Sequence, residues 1–331
     1  MLPAHLKRRM SLLDVHSHAG VDLSLYLTHG YPFSRSLGEA IAENRAHGVS
    51  HAVVFPMPTT LAYGLRNLAQ GRPGRSRGPF RIPFEFENAQ LLRQVHETFP
   101  EGRSMFIPFV FVDPVREVRA QVKGLEKLLG RHAFHGIKVM PRSAQARLAE
   151  LGRTGRPLLE FAQAHDLPIL AHCSVSHLDP WSKLRDLFDL ARSHPKLRFC
   201  AAHFCGFHRR MFEEADRLGN VWVDAAAFTI GCELVRQKSA VYESGPSRIR
   251  GDYRRPPELF AEIAGRYPDT FMWASDSPFH TWISATRLPS GRLLHLELRS
   301  SMAEETALLA PLRGALRRKV AFGNALRFLE G

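Results

Sequence analysis

Short apolar runs alternate with stretches of helical period along the whole chain. Eight runs read as strands, at 12–18, 51–57, 105–113, 135–141, 167–173, 197–204, 221–227 and 270–278. Most are continuous in Val, Ile, Leu and Phe, the pattern of strands covered on both faces. Between them, Val118, Val122, Leu125 and Leu129 fall on one helical stripe, and 158–165 and 184–192 behave alike. The stretch 293–329 reads as helical except near Pro311. Eight strand–helix alternations predict an α/β fold, a closed parallel (β/α)8 barrel of the TIM type, with any active site at the carboxyl ends of the strands. A doubly wound sheet would need a Gly-rich phosphate loop after the first strand, and the chain has none.

The 331 residues suit one such barrel, so a single domain over 1–331 is expected. Two connections are longer than the rest, 58–83 and 229–257, both rich in Gly and Pro. Both fall on the strand-to-helix side, where they read as lids or substrate walls, or as plain surface insertions. No internal repeat or low-complexity tract is present.

Composition narrows the function classes. No apolar run reaches the length of a membrane span, and the basic first ten residues lack a following signal-type apolar stretch. The four cysteines, Cys173, Cys200, Cys205 and Cys232, show neither paired metal spacing nor a secreted disulfide framework, so a reduced, cytoplasmic protein is expected. The net charge is +13, but only eight of the 45 basic residues are Lys, which suits an Arg-rich coding bias as well as a selected surface. The densest basic run, Arg66, Arg72, Arg75, Arg77 and Arg81, lies in the Gly/Pro-rich first insertion and reads as a solvated loop before a polyanion site.

The chemistry sits at the strand ends. The first strand closes on Asp14-Val15-His16-Ser17-His18, where strand alternation places Asp14, His16 and His18 on one side. His-x-His alone is a weak signal in a chain with 17 histidines. Later strands repeat the theme with Gly136-Ile137-Lys138, Leu170-Ala171-His172, Ala202-His203-Phe204 and Ser275-Asp276-Ser277-Pro278. So many polar groups in one barrel mouth are costly unless they bind something. A metal ion is the simplest ligand. Cys205 shares the face of His203 if that strand continues so far.

These segments, closed by Phe322-Gly323-Asn324-Ala325, resemble the amidohydrolase superfamily, in its amidohydrolase-related branch that also holds metal-dependent decarboxylases. The resemblance spans nearly the whole chain. It implies one divalent metal, zinc before manganese or iron(II), held by His16, His18, His172 and Asp276. It gives His203 a role in polarising substrate or handling protons. Lys138 stands where two-metal relatives carry a carbamylated bridge, and in that case His203 becomes a ligand of a second metal. In the one-metal branch Lys138 is unmodified and serves as a charge partner near the substrate.

On this reading the expected activity is hydrolysis of an amide, lactone, ester or imine-type C–N or C–O bond. Metal-activated water has a pKa near ~7, Asp276 shuttles its proton and His203 stabilises the oxyanion. The expected partner is a small-molecule or peptide substrate, with an anionic group as an option. Arg142, His177, His280 and Trp282 follow strand ends and are candidate substrate contacts. A non-oxidative decarboxylase is the alternative within the same branch. A nucleic-acid enzyme or binder is disfavoured, since barrel DNases typically place Glu where this chain has Lys138. A homodimer is left open, and no membrane partner is expected.

Overall fold

The computed structural model describes all residues except 1, 8–9, 24, 26–32, 240, 243–244, 280 and 288–289, and the backbone alone at 5, 7, 281–282, 284–287, 294 and 296. Its barrel strands are β1 (Leu13–Asp22), β3 (His51–Pro56), β4 (Phe106–Pro108), β5 (Val110–Val112), β6 (Ile137–Val139), β7 (Ile169–Ala171), β8 (Phe199–Ala201), β9 (Val221–Asp224) and β10 (Phe271–Met272). A short antiparallel arm, β2 (Phe33–Arg35), pairs with the outer end of β1. β1, β3 and β4 pair in parallel, and β5 through β10 form a parallel run in sequence order.

The single strand expected at 105–113 is interrupted at Phe109. The Phe109 amide donates to Val54 O and the Val110 amide to Gly136 O, so one chain segment serves both neighbours. The ring closes at the mouth, where the Asp276 amide donates to His16 O at 2.9 Å and the His18 amide to Ser277 O at 2.7 Å. Eight strand positions thus complete a (β/α)8 barrel.

Alternation along the strands sorts the apolar side chains into two layers. Leu13, Val15, Val53, Phe55, Phe109, Phe111, Leu170 and Met272 fill the interior. Val110, Ile137, Ile169, Phe199, Val221 and Phe271 face outward, onto the apolar stripes of helices such as Val118–Leu129, Leu184–Ser193 and Arg209–Leu218. Gly136 is required by the inner layer, since a Cβ there would lie 2.3 Å from the Phe109 ring. Phe328 and Leu329, on the helix Asn324–Glu330, join the interior cluster. Asn324 Nδ2 pins that helix beneath the barrel by donating to Pro268 O and Phe271 O.

Three expectations are corrected. The stretch from Leu293 is not helical at its start, because β12 (Leu293–Arg299) pairs antiparallel with β11 (Thr281–Arg287). Leu294, Leu296 and Leu298 alternate with His295, Glu297 and Arg299, a period of two that outweighs the leucine content. The second insertion opens with a helix, Phe228–Arg236, rather than loop. Finally, Asp14 does not share the side of His16 and His18. A one-residue bulge lies between Asp14 and Ser17: Asp14 pairs with outward Ala52, whereas His18 pairs with inward Phe55.

The first insertion is tied to the barrel rim. Tyr63 Oη donates to Asp113 Oδ2 at 2.7 Å, and Arg75 of the basic run pairs with Glu117. Among the described residues, no helix is long and apolar enough to cross a membrane.

Candidate metal centre

The bulge in β1 lets two histidines reach the mouth above an interior of Val and Phe. Asp14 becomes the clamp behind them. It accepts from the His16 amide and the Ser275 amide, each at 3.0 Å, and from the Ser275 hydroxyl. This joins β1 to the segment carrying Asp276. Burial pushes the Asp14 carboxyl up to about 7, opposed by the Ser275 hydrogen bonds.

His16, His18 and Asp276 then converge, with one ligand atom from each lying within 4.8 Å of the others. Asp276 Oδ1 is 3.3 Å from His16 Nε2 and 3.5 Å from His18 Nε2. Tetrahedral donors on a zinc ion, at its usual bond lengths of about 2.0–2.1 Å, stand roughly 3.3–3.4 Å apart. The donor set and two of its edges therefore fit a divalent cation.

The imidazoles are in the right protonation state. Burial, then the charge of Lys138, holds His16, His18 and His172 well below the usual histidine range. Burial and the neighbouring His172 bring His203 down to about 3. Neutral imidazole keeps a lone pair for a metal.

Their hydrogen bonds fix which nitrogen carries the proton. His16 Nδ1 faces Asp224 Oδ2 at 2.9 Å, so Nδ1 is protonated and the Nε2 lone pair points to the centre. His203 Nδ1 lies 3.2 Å from the Ala226 carbonyl, which only accepts. Its Nε2 then accepts from His172 Nδ1 at 2.8 Å, leaving His172 Nε2 with a lone pair. His172 thus stands against His203 rather than within the His16–His18–Asp276 group. Both His203 nitrogens are engaged in this arrangement.

Lys138 is fully buried at the centre of the cluster. Its Nζ lies 3.0 Å from His16 Nε2 and 4.6 Å from the Phe55 ring centroid. An isolated buried ammonium would cost several kcal/mol. Burial lowers Lys138 to about 8, against the opposing charges of Asp224 and Asp276.

A cavity of about 90 Å³ opens over these groups. Its polar lining includes Arg142, Ser143 and Gln145, and its apolar lining Leu25, Leu68, Met140 and Phe279. Gln145 Nε2 is committed to Leu68 O at 2.7 Å, while buried Gln145 Oε1 has no donor among the described residues. Of the other expected contacts, His177 is exposed on the loop after β7 and does not line this cavity. His280 lies outside the described residues, and Trp282 is described only as backbone of β11. Cys205 is no ligand candidate here: β8 ends at Ala201, and a left-handed turn buries Cys205 in the outer core.

Sequence reasoning missed Asp224, although the signal was available. Val221-Trp222-Val223-Asp224 ends an apolar strand on a carboxylate, as the segments of His18, His172, His203 and Asp276 end on His or Asp.

Comparison with known proteins bears on the fold and the family. The Amidohydrolase family model (Amidohydro_2) matches residues 55–331. No curated protein matches the chain. Among solved structures, an uncharacterised TIM-barrel protein from Bordetella bronchiseptica is 13% identical with a TM-score of 0.60, covering 96% of this chain and 98% of that one. An amidohydrolase from Burkholderia multivorans is 14% identical, TM-score 0.57, with the same coverage. Dihydroorotase from Campylobacter jejuni is 15% identical, TM-score 0.54, covering 96% of this chain and 82% of that one. At these identities the likeness is one of fold. The family match leaves out residues 1–54, and the geometry supplies the missing part by bringing His16 and His18 against Asp276. With barrel, mouth and family match in register, the chain belongs to the amidohydrolase family.

Proposed function

We propose that the protein is a metal-dependent hydrolase that cleaves a C–N or C–O bond in a small, anionic molecule. The observation that carries the reading is the donor triangle of His16 Nε2, His18 Nε2 and Asp276 Oδ1, with edges of 3.3 and 3.5 Å to the carboxylate oxygen. His172 is the fourth candidate donor; its Nε2 stands 3.9 Å from Asp179 Oδ2 and would turn from that carboxylate to join the group.

When bound, a divalent cation supplies Lewis acidity and brings the pKa of water toward about 7. Asp276 takes the proton of the attacking water and returns it to the leaving group. His203 donates an N–H to the developing oxyanion once its ring releases the Ala226 carbonyl, a contact of only 3.2 Å. Lys138 stays unmodified as a cation beside the substrate. Arg142 is the one guanidinium lining the cavity among the described residues. It supports a carboxylate or similar anion on the substrate, with Gln145 Oε1 taking a donor from the same molecule. The apolar wall of Leu68, Met140 and Phe279 suits a compact hydrocarbon body.

The test is a panel of small amides, lactones and esters, each with and without a carboxylate, assayed with zinc or manganese. Metal-dependent hydrolysis that prefers the carboxylated members is expected. Release of carbon dioxide without hydrolysis would assign the decarboxylase chemistry instead.

A further inference from the structure

The end of β9 carries a carboxylate for which the proposed chemistry has no step. Asp224 is fully buried, and each of its oxygens has separate work. Oδ1 accepts from the His203 amide at 2.9 Å and the Ala226 amide at 3.1 Å. Oδ2 faces His16 Nδ1 at 2.9 Å and the Cys200 thiol at 3.6 Å. The first pair shapes the turn from which His203 projects, a backbone with φ of +63° that side chains rarely adopt. The second fixes the proton of His16.

We infer that Asp224 is a positioning residue that sets the tautomer of His16, and through the turn the placement of His203, so that both meet the metal and substrate correctly. A carboxylate only accepts, so His16 Nδ1 must donate, which leaves Nε2 as the ligand atom. The opposite tautomer would set His16 Nε2–H against Lys138 Nζ, two donors 3.0 Å apart. Asp224 and Lys138 therefore select the same tautomer from the two ends of one ring. This inference rests on the metal-site reading for its purpose, but the tautomer itself needs no metal.

The experiment has two arms. In the first, imidazole nitrogen NMR of the metal-free parent protein, with His16 assigned by comparison with His16→Gln, is expected to show the Nδ1–H form. An Nε2–H form there overturns the inference whatever any variant does. In the second, zinc affinity is measured by competition with a chromophoric chelator in the parent and in Asp224→Asn, whose amide can donate to His16 Nδ1. A loss of about ten- to a hundredfold is expected, the usual effect of removing the outer partner of a ligating His. It should come with a shift of His16 toward Nε2–H. Equal affinity in a folded Asp224→Asn overturns the positioning role and leaves the metal-site reading intact. A parent that binds no zinc overturns the metal-site reading, while the first arm still decides the tautomer.

Discussion

Lys138 Nζ lies 3.0 Å from His16 Nε2, so the lone pair offered to a metal is already held against a cation. Both are fully buried, and the ammonium has the Phe55 ring on another side. Burial disfavours the ammonium, and the carboxylates of Asp224 and Asp276 offset that cost. A divalent ion adds to the positive charge, and Lys138 opposes it.

Lys138→Met is accordingly expected to keep the metal stoichiometry of the parent and to bind zinc more tightly. Metal analysis and chelator competition read the two quantities. A parent with two metals per chain that falls to one in the variant would instead make Lys138 a carbamylated bridge and His203 a ligand.

Asp276 and His203 should separate metal binding from chemistry. Asp276→Asn keeps an oxygen beside His16 and His18 but loses the base, so it should retain substantial metal while turnover falls by about two to four orders of magnitude. His203→Asn should retain metal with turnover reduced by about two to three orders. Near-parent turnover in Asp276→Asn ends its role as proton carrier.

Much of this site was legible from strand endings alone. His16, His18 and Asp276 end apolar runs, and a parallel barrel brings all such ends to one mouth, so their convergence follows from topology. The tautomers were not legible, because they depend on Asp224 and Ala226, far along the chain from His16 and His172. Nor was the place of Asp14, since one extra residue in β1 reverses alternation and no composition signal marks it. The hairpin of β11 and β12 was hidden for another reason. The high helix propensity of leucine masked the two-residue period of Leu294, Leu296 and Leu298 that marks the strand.

Arg142 provides a test of substrate charge. Loss of a hydrogen bond to a charged group costs about 1.5–3 kcal/mol, roughly ten- to a hundredfold in binding. Arg142→Met should raise KM by about that factor for a carboxylated substrate, with kcat nearly unchanged, and should leave an uncharged analogue unaffected. An equal effect on both substrates would remove the anion-binding role.

Glu305 offers a check on the fold outside the donor group. Burial pushes its carboxyl up to about 8, against hydrogen bonds from Thr229 and Ser300 and with Asp276 adding to the rise. A folded-state value above the unfolded one means the fold prefers the neutral acid. That contribution is full below about pH 4.5 and is lost as pH rises through about 8. Glu305→Gln keeps the Oε1 acceptor and cannot ionise. Its thermal midpoint should therefore gain on the parent steadily between about pH 5 and pH 8.5. A difference constant with pH would show that Glu305 is already ionised in the fold.

The most direct measurement is the metal content of protein purified without chelator, taken beside His16→Ala and followed by removal and return of the ion. The expected result is about one equivalent of zinc, manganese or iron per chain, lost in His16→Ala, with activity abolished by chelation and restored by divalent metal. A metal-free protein that retains full hydrolytic activity would contradict it.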